Sequence, residues 1–123
     1  MKDDKKEKIR SIDDEAAVLE KIAAMQGDYR EMGGRLHDLI LRSVPTLFPR
    51  VWYGMPGYAK TKNGPVICFF RADKYMTFGL TDKANFVLEE GATDQLLGSA
   101  WFFSKLDEKT EEKLADIVRK AAG

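Results

Sequence analysis

The chain has 123 residues, a mass of 13.9 kDa and 44% hydrophobic residues, enough for one domain with a core of its own. Lys+Arg 20 balances Asp+Glu 20, so no overall field draws it to nucleic acid or to an anionic membrane. The single cysteine, Cys68, excludes an internal disulfide and a cysteine-cluster metal site, and no apolar run approaches the roughly 18 residues a membrane helix needs. A soluble cytoplasmic domain is expected.

Residues 1–12 mix Lys and Asp with almost nothing to bury and lack the apolar core of a signal peptide. They are predicted to be a flexible charged arm, followed by one α+β domain over 13–123. A first helix is predicted from Asp13, where Asp13, Asp14 and Glu15 suit the positive end of the helix dipole. Its buried stripe is predicted to be Ala16, Leu19, Ile22 and Ala23, with Gly27 ending the run. A second helix starts at Asp28, which with Glu31 fits a capping box. Tyr29, Met32, Leu36, Leu39, Ile40 and Val44 form its core stripe, and Pro45 ends it. Gly33 and Gly34 lie inside that helix and imply either a close approach or a bend.

Past Pro49 the period changes to that of strands. Arg50 to Met55 and Tyr58 to Lys62 read as a strand pair reversed by a type II turn at Met55-Pro56-Gly57-Tyr58. Asn63-Gly64 predicts a type I′ hairpin into the apolar strand Pro65 to Arg71. Asp73-Lys74 turns into Tyr75 to Thr81, which puts Met76, Phe78 and Leu80 on one face. A short helix is predicted from Thr81 or Asp82 to Gly91, then a linker over Ala92 to Gly98 and a fifth strand over Ser99 to Lys105. Asp107 caps a last helix that buries Leu114, Ile117, Val118 and Ala121. The sum is a two-layer sandwich of helices on a five-stranded, mostly meander antiparallel sheet.

The densest apolar stretch is Val51-Trp52-Tyr53-Gly54-Met55-Pro56-Gly57-Tyr58. Tyr53, Tyr58, Tyr75 and either Trp52 or Trp101 are candidates to line the sheet face away from the helices. Such rings either form a binding surface or roof the core. His37, the only histidine, is expected on the shoulder of the second helix without a chemical role, and Cys68 as an inert core thiol. Asp13-Asp14-Glu15, Glu89-Glu90 with Asp94, and Asp107-Glu108 with Glu111-Glu112 offer oxygen ligands for a hard cation, or cap and solvate helices. Lys60, Lys62, Arg71 and Lys74 bring positive charge to the strand ends, to orient an anion or to protect a sheet edge.

At Tyr53-Gly54-Met55-Pro56, followed by Tyr58, the chain resembles the YdhG-like family of small domains of unknown function (DUF1801). The resemblance runs from about Ala17 to Ala121 and takes in Pro45, Val66 to Phe70, Lys74 and Trp101-Phe102-Phe103. It implies a frataxin-like helix–sheet sandwich, with Tyr53, Gly54, Met55, Pro56 and Lys74 as motif positions. It also implies, for a minority branch, delivery of iron to iron–sulfur or haem assembly. Tyr75 stands where many members have histidine after the lysine, and the second helix carries only Asp28, Glu31 and Asp38 among basic residues.

The expected function is that of a non-enzymatic binding module, taking a small ligand or protein partner through the aromatic sheet face and the Tyr53–Tyr58 turn. Its ligand-binding residues would be Tyr53, Gly54, Met55, Pro56, Tyr58, Lys74 and Tyr75. No cofactor, nucleic acid or membrane is expected, and the domain would act as a monomer or homodimer. The alternative is a frataxin-like iron carrier using surface carboxylates.

Overall fold

The computed structural model describes residues 12–86, 90, 91, 93 and 96–123. Apart from Ile12, the predicted arm lies outside these residues, as do parts of the predicted short helix and linker (87–89, 92, 94 and 95). Among the described residues the order is α1 (Ile12–Ala23), α2 (Asp28–Ser43), β1 (Phe48–Trp52), β2 (Met55–Ala59), β3 (Val66–Ala72), β4 (Met76–Leu80), β5 (Ala100–Phe103) and α3 (Glu108–Ala122). The strands form one antiparallel sheet in chain order, β1-β2-β3-β4-β5, and the predicted α+β architecture is present. No helix among the described residues is long and apolar enough to cross a membrane.

The helix α1 starts where its acids suit the dipole, but of its predicted stripe only Ile22 is buried. Val18 and Ile22 are buried, whereas Leu19 is 46% exposed and Ala16 and Ala23 face solvent. The two stripes differ by about one residue's rotation, roughly 100°. Packing favours the one with two β-branched side chains, and this turns Glu15, three residues before Val18, toward the interior.

The predicted capping box does not form. Gly27 is the N-cap of α2 and makes no side-chain cap bond, so Asp28 is already inside the helix. Its left-handed φ of 58° lets the chain pass from one helix straight into the next, a reversal that asparagine or serine would strain. The stripe of α2 is as predicted at Met32, Leu36, Leu39 and Ile40, with His37 added to it. Gly33 marks a close approach: a Cβ there would meet Met25 Sδ at 2.9 Å and Ile22 Cγ2 at 3.1 Å. The cap of α3 is also as predicted, with the Thr110 N–H donating to Asp107 Oδ1 at 2.8 Å.

Two turns differ from expectation. The β1–β2 reversal is at Tyr53-Gly54, because Met55 to Ala59 is already strand and Trp52 pairs with Met55. Tyr53 (φ 50°) and Gly54 (φ 75°) are both left-handed, the signature of a type I′ turn. A two-residue turn of that hand matches the twist of the strands, so Pro56-Gly57 is not needed to reverse the chain. Asn63-Gly64 is not left-handed. The β2–β3 connection turns through Thr61–Gly64, with the Gly64 N–H donating to the Thr61 carbonyl at 3.2 Å, and a register shift at Tyr58/Ala59 absorbs the extra length. Residues 81–86 are a turn rather than helix: the Ala84 N–H bonds the Thr81 carbonyl, and Thr81 Oγ1 accepts from the Lys83 N–H.

Strand register sorts the aromatics onto two faces. On the covered face Pro49 lies opposite Tyr58, Tyr58 opposite Cys68, and Phe70 opposite Phe78, which pairs with Trp101. These strand residues share one core with Val18 and Ile22 of α1, Leu36 and Ile40 of α2, and Leu114 and Val118 of α3. On the other face Trp52 lies 5.2 Å from Phe69, ring to ring, across Gly57. Phe69 in turn lies over Gly79, where a Cβ would fall 2.5 Å from its ring. Glycines at 57 and 79 are what let these rings lie flat on the sheet.

Candidate functional site

The YGMP stretch ends at a groove. At the C-terminal end of α1, a hollow of about 250 Å³ is lined by Lys21, Ala24 and Met25, by Gly54, Met55 and Pro56 of the turn and β2, and by Arg71 and Ala72 at the end of β3. By register Pro56 and Ala72 share the covered face with Tyr58 and Phe70, facing α1, whereas Met55 and Arg71 fall on the open face with Trp52 and Phe69. The Nε of Arg71 lies 3.3 Å from Asp73 Oδ2, an exposed pair of little strength.

Tyr53 borders this groove by its place in the chain. It is 85% exposed, with its ring edge-on to Trp52 at 4.7 Å. A non-glycine residue in the left-handed region costs roughly 1–2 kcal/mol, and burial in the core does not offset that here.

The remaining candidates are placed differently. Lys74 and Tyr75 lie in the β3–β4 turn, just past Ala72. The Lys74 carbonyl accepts from Tyr29 Oη at 3.0 Å, and Lys74 Nζ stands 5.8 Å from the centre of the half-exposed Tyr75 ring. Tyr58 does not join the site, because β2 turns it inward to full burial and its hydroxyl is bonded within the core. Trp101 is also on the covered face, leaving Trp52 and Phe69 on the open one. The structure thus gathers Gly54, Met55 and Pro56, sets Tyr53 beside them, and separates Lys74, Tyr75 and Tyr58 from the groove.

A polar chain missing from the sequence reading runs through the core. His37 Nε2 lies 2.7 Å from Glu15 Oε2, and His37 Nδ1 lies 2.8 Å from Tyr58 Oη. With the ring proton on Nε2, Tyr58 donates to His37 and His37 donates to Glu15, so every member is satisfied. Burial, reinforced by Cys68, Glu15 and Asp38, holds the Tyr58 hydroxyl well above its ordinary 10.0, so it remains a donor. Burial also pushes the Cys68 thiol up to about 12, which makes it a poor nucleophile. The sequence signal for this polar chain is partial: His37 follows Leu36 on the core side of α2, whereas the direction of Glu15 depends on how α1 packs.

A second groove, of about 350 Å³, lies between α2 and α3 and mixes Arg42 and Arg119 with Glu108, Glu111 and Glu112. Among the described residues no group of three His, Cys, Asp or Glu side chains is placed to hold a metal ion. Of the predicted acid groups, Glu89 and Asp94 lie outside the described residues, Glu15 is bonded to His37, and Asp107 caps α3.

No protein-family profile matches the chain, and no curated protein or solved structure matches it. The class is therefore defined by the fold: a two-layer α+β domain with helices on one face of an antiparallel meander.

Proposed function

We propose that the domain is a non-enzymatic binding module that takes a small ligand in the groove beside the β1–β2 turn, with the exposed Tyr53 as its aromatic border. The observation that carries this reading is Tyr53 itself, held in a left-handed conformation yet 85% exposed. Folding alone favours Asn or Gly at that position. Backbone strain retained by an exposed aromatic beside a groove is a pointer to binding. The non-enzymatic part of the reading is supported by the burial of His37 and Tyr58, neither of which lines either groove. Membership of the YdhG-like family, with a frataxin-like fold, is part of the same proposal and stands on the Tyr-Gly-Met-Pro stretch and the order of elements.

A protein-observed NMR screen with a small-fragment library tests it. Hits should shift the amides of residues 53–55, 71 and 72, and Tyr53→Asn should weaken them while the fold persists. Hits confined to the α2–α3 groove, or unaffected by Tyr53→Asn, would contradict the reading.

A further inference from the structure

We propose that β5 pairs edge to edge with β5 of a second copy of the chain, antiparallel about Phe102, and so joins two five-stranded sheets in a closed dimer. The strand β5 is the last in the sheet, and no described residue pairs on its outer side. The direction of its backbone groups follows from the ladder. The Leu80 N–H donates to the Ser99 carbonyl at 2.7 Å, and Leu80 lies opposite Ser99 by continuation of the Gly79↔Ala100 register. Bonded and non-bonded pairs alternate in an antiparallel ladder, so Trp101 and Phe103 bond to β4. Ala100 and Phe102 then turn their N–H and C=O groups outward, where a further strand would receive them.

The two edges of the sheet differ. At β1 the two-residue turn closes on Trp52 and Met55 as a bonded pair, so Pro49 and Val51 face outward. Pro49 has no N–H to offer, which blunts that edge. At β5 the run Ser99-Ala100-Trp101-Phe102-Phe103-Ser104 has no proline and no charged side chain. Exposed apolar side chains also gather there, with Phe102 64% exposed and Leu97, three residues before the strand, 42% exposed.

A second copy is the occupant that fits, because the strand is complementary to itself. With Phe102 on the twofold axis, outward groups meet outward groups. Phe102 exchanges two hydrogen bonds with Phe102 of the second copy, and Ala100 lies opposite Ser104. The two Phe102 rings become neighbours on the open face, opposite in each copy to Thr77. Lys105, the first charge past β5, falls opposite Ser99 and not against another lysine. Pairing of β5 with β1 of another copy would instead build an open filament, and Pro49 removes a donor from that arrangement. The interface involves neither β1 nor β2, so it does not rest on the groove at their turn.

Sedimentation of the full chain between about 10 μM and about 1 mM tests the dimer, with amide hydrogen exchange on the same samples. The mass is expected to rise from 13.9 kDa toward twice that value, while exchange at Phe102 slows with concentration. In a mixed-label sample, an NOE between Trp101 Hα of one copy and Phe103 Hα of the other fixes the register. Ala100→Pro removes an outward donor without touching the bonds to β4, and Phe102→Lys sets two like charges opposite each other. Each should weaken the dimer at least about tenfold with the melting temperature little changed. Should Ala100→Pro fail to fold, Phe102→Lys and the NOE still decide. A monomer up to about 1 mM would overturn the inference. So would a dimer that Phe102→Lys leaves intact, one in which exchange at Phe102 stays fast, or growth into species larger than a dimer.

Discussion

His37 Nδ1 lies 2.8 Å from the hydroxyl of Tyr58, and this bond ties α2 to β2 inside the core, with Glu15 of α1 closing the chain on the other ring nitrogen. Three elements thus share one polar thread. Tyr58→Phe keeps the ring's packing against Phe70, 6.2 Å away and nearly parallel, but leaves His37 Nδ1 buried without a partner. The variant is expected to lose about 1–3 kcal/mol in urea unfolding. A loss within about 0.5 kcal/mol would mean that the bond adds little to the net balance.

The two neighbouring glycines of α2 should respond in opposite directions. Gly33→Ala drives a methyl group toward Met25 Sδ and Ile22 Cγ2, and is expected to cost about 1–3 kcal/mol. Gly34→Ala meets nothing within 4 Å and should stabilise by up to about 1 kcal/mol. Urea midpoints of the two variants check the pair.

Much of the fold was legible because long stripes and proline punctuation are local signals. Leu36, Leu39 and Ile40 announce a core-facing helix, Pro45 its end, and Met76-x-Phe78-x-Leu80 a half-buried strand. The turns were less legible. Pro56-Gly57 has turn composition but is strand, because Gly57 serves the close passage of Trp52 and Val66 rather than a reversal. Tyr53 does not look like a type I′ residue, and only the sheet's register forces it there. The site was half legible. Gly54, Met55 and Pro56 meet at the groove, but Lys21, distant in sequence, joins them only through the packing of α1 on the sheet. The polar thread was hidden because the rotation of α1, which brings Glu15 to His37, depends on tertiary packing.

Stability should fall on the alkaline side. The Cys68 thiol is pushed from 9.0 to about 12, and the Tyr58 hydroxyl is raised above 10.0. Once the pH passes the ordinary values, the unfolded chain has released these protons while the folded chain retains them. The folded state then binds more protons, and stability declines as pH rises. Unfolding free energy is expected to carry its full thiol contribution below about pH 9 and to decline toward about pH 12. Cys68→Ala should flatten the first part of that decline and leave the Tyr58 part. Urea unfolding from pH 7 upward measures both slopes.

The β1–β2 turn should separate stability from binding. Tyr53→Asn relieves roughly 1–2 kcal/mol of left-handed strain and forfeits about 0.5–1.5 kcal/mol of contact with Trp52. The net change in stability should stay within about 1 kcal/mol, while fragment binding weakens. Gly54→Ala, at φ 75°, should instead cost about 1–2 kcal/mol. Thermal unfolding of both variants, alongside the fragment titrations, tests the contrast.

The most direct test of the account is where a small ligand rests. Intermolecular NOEs between a fragment hit and methyl-labelled methionine, alanine and leucine locate it without relying on any substitution. The account predicts NOEs to the methyls of Ala24, Met25 and Ala72, which line the groove. NOEs instead to Leu39 and Ala115 between α2 and α3, with none to Ala24, Met25 or Ala72, would contradict it.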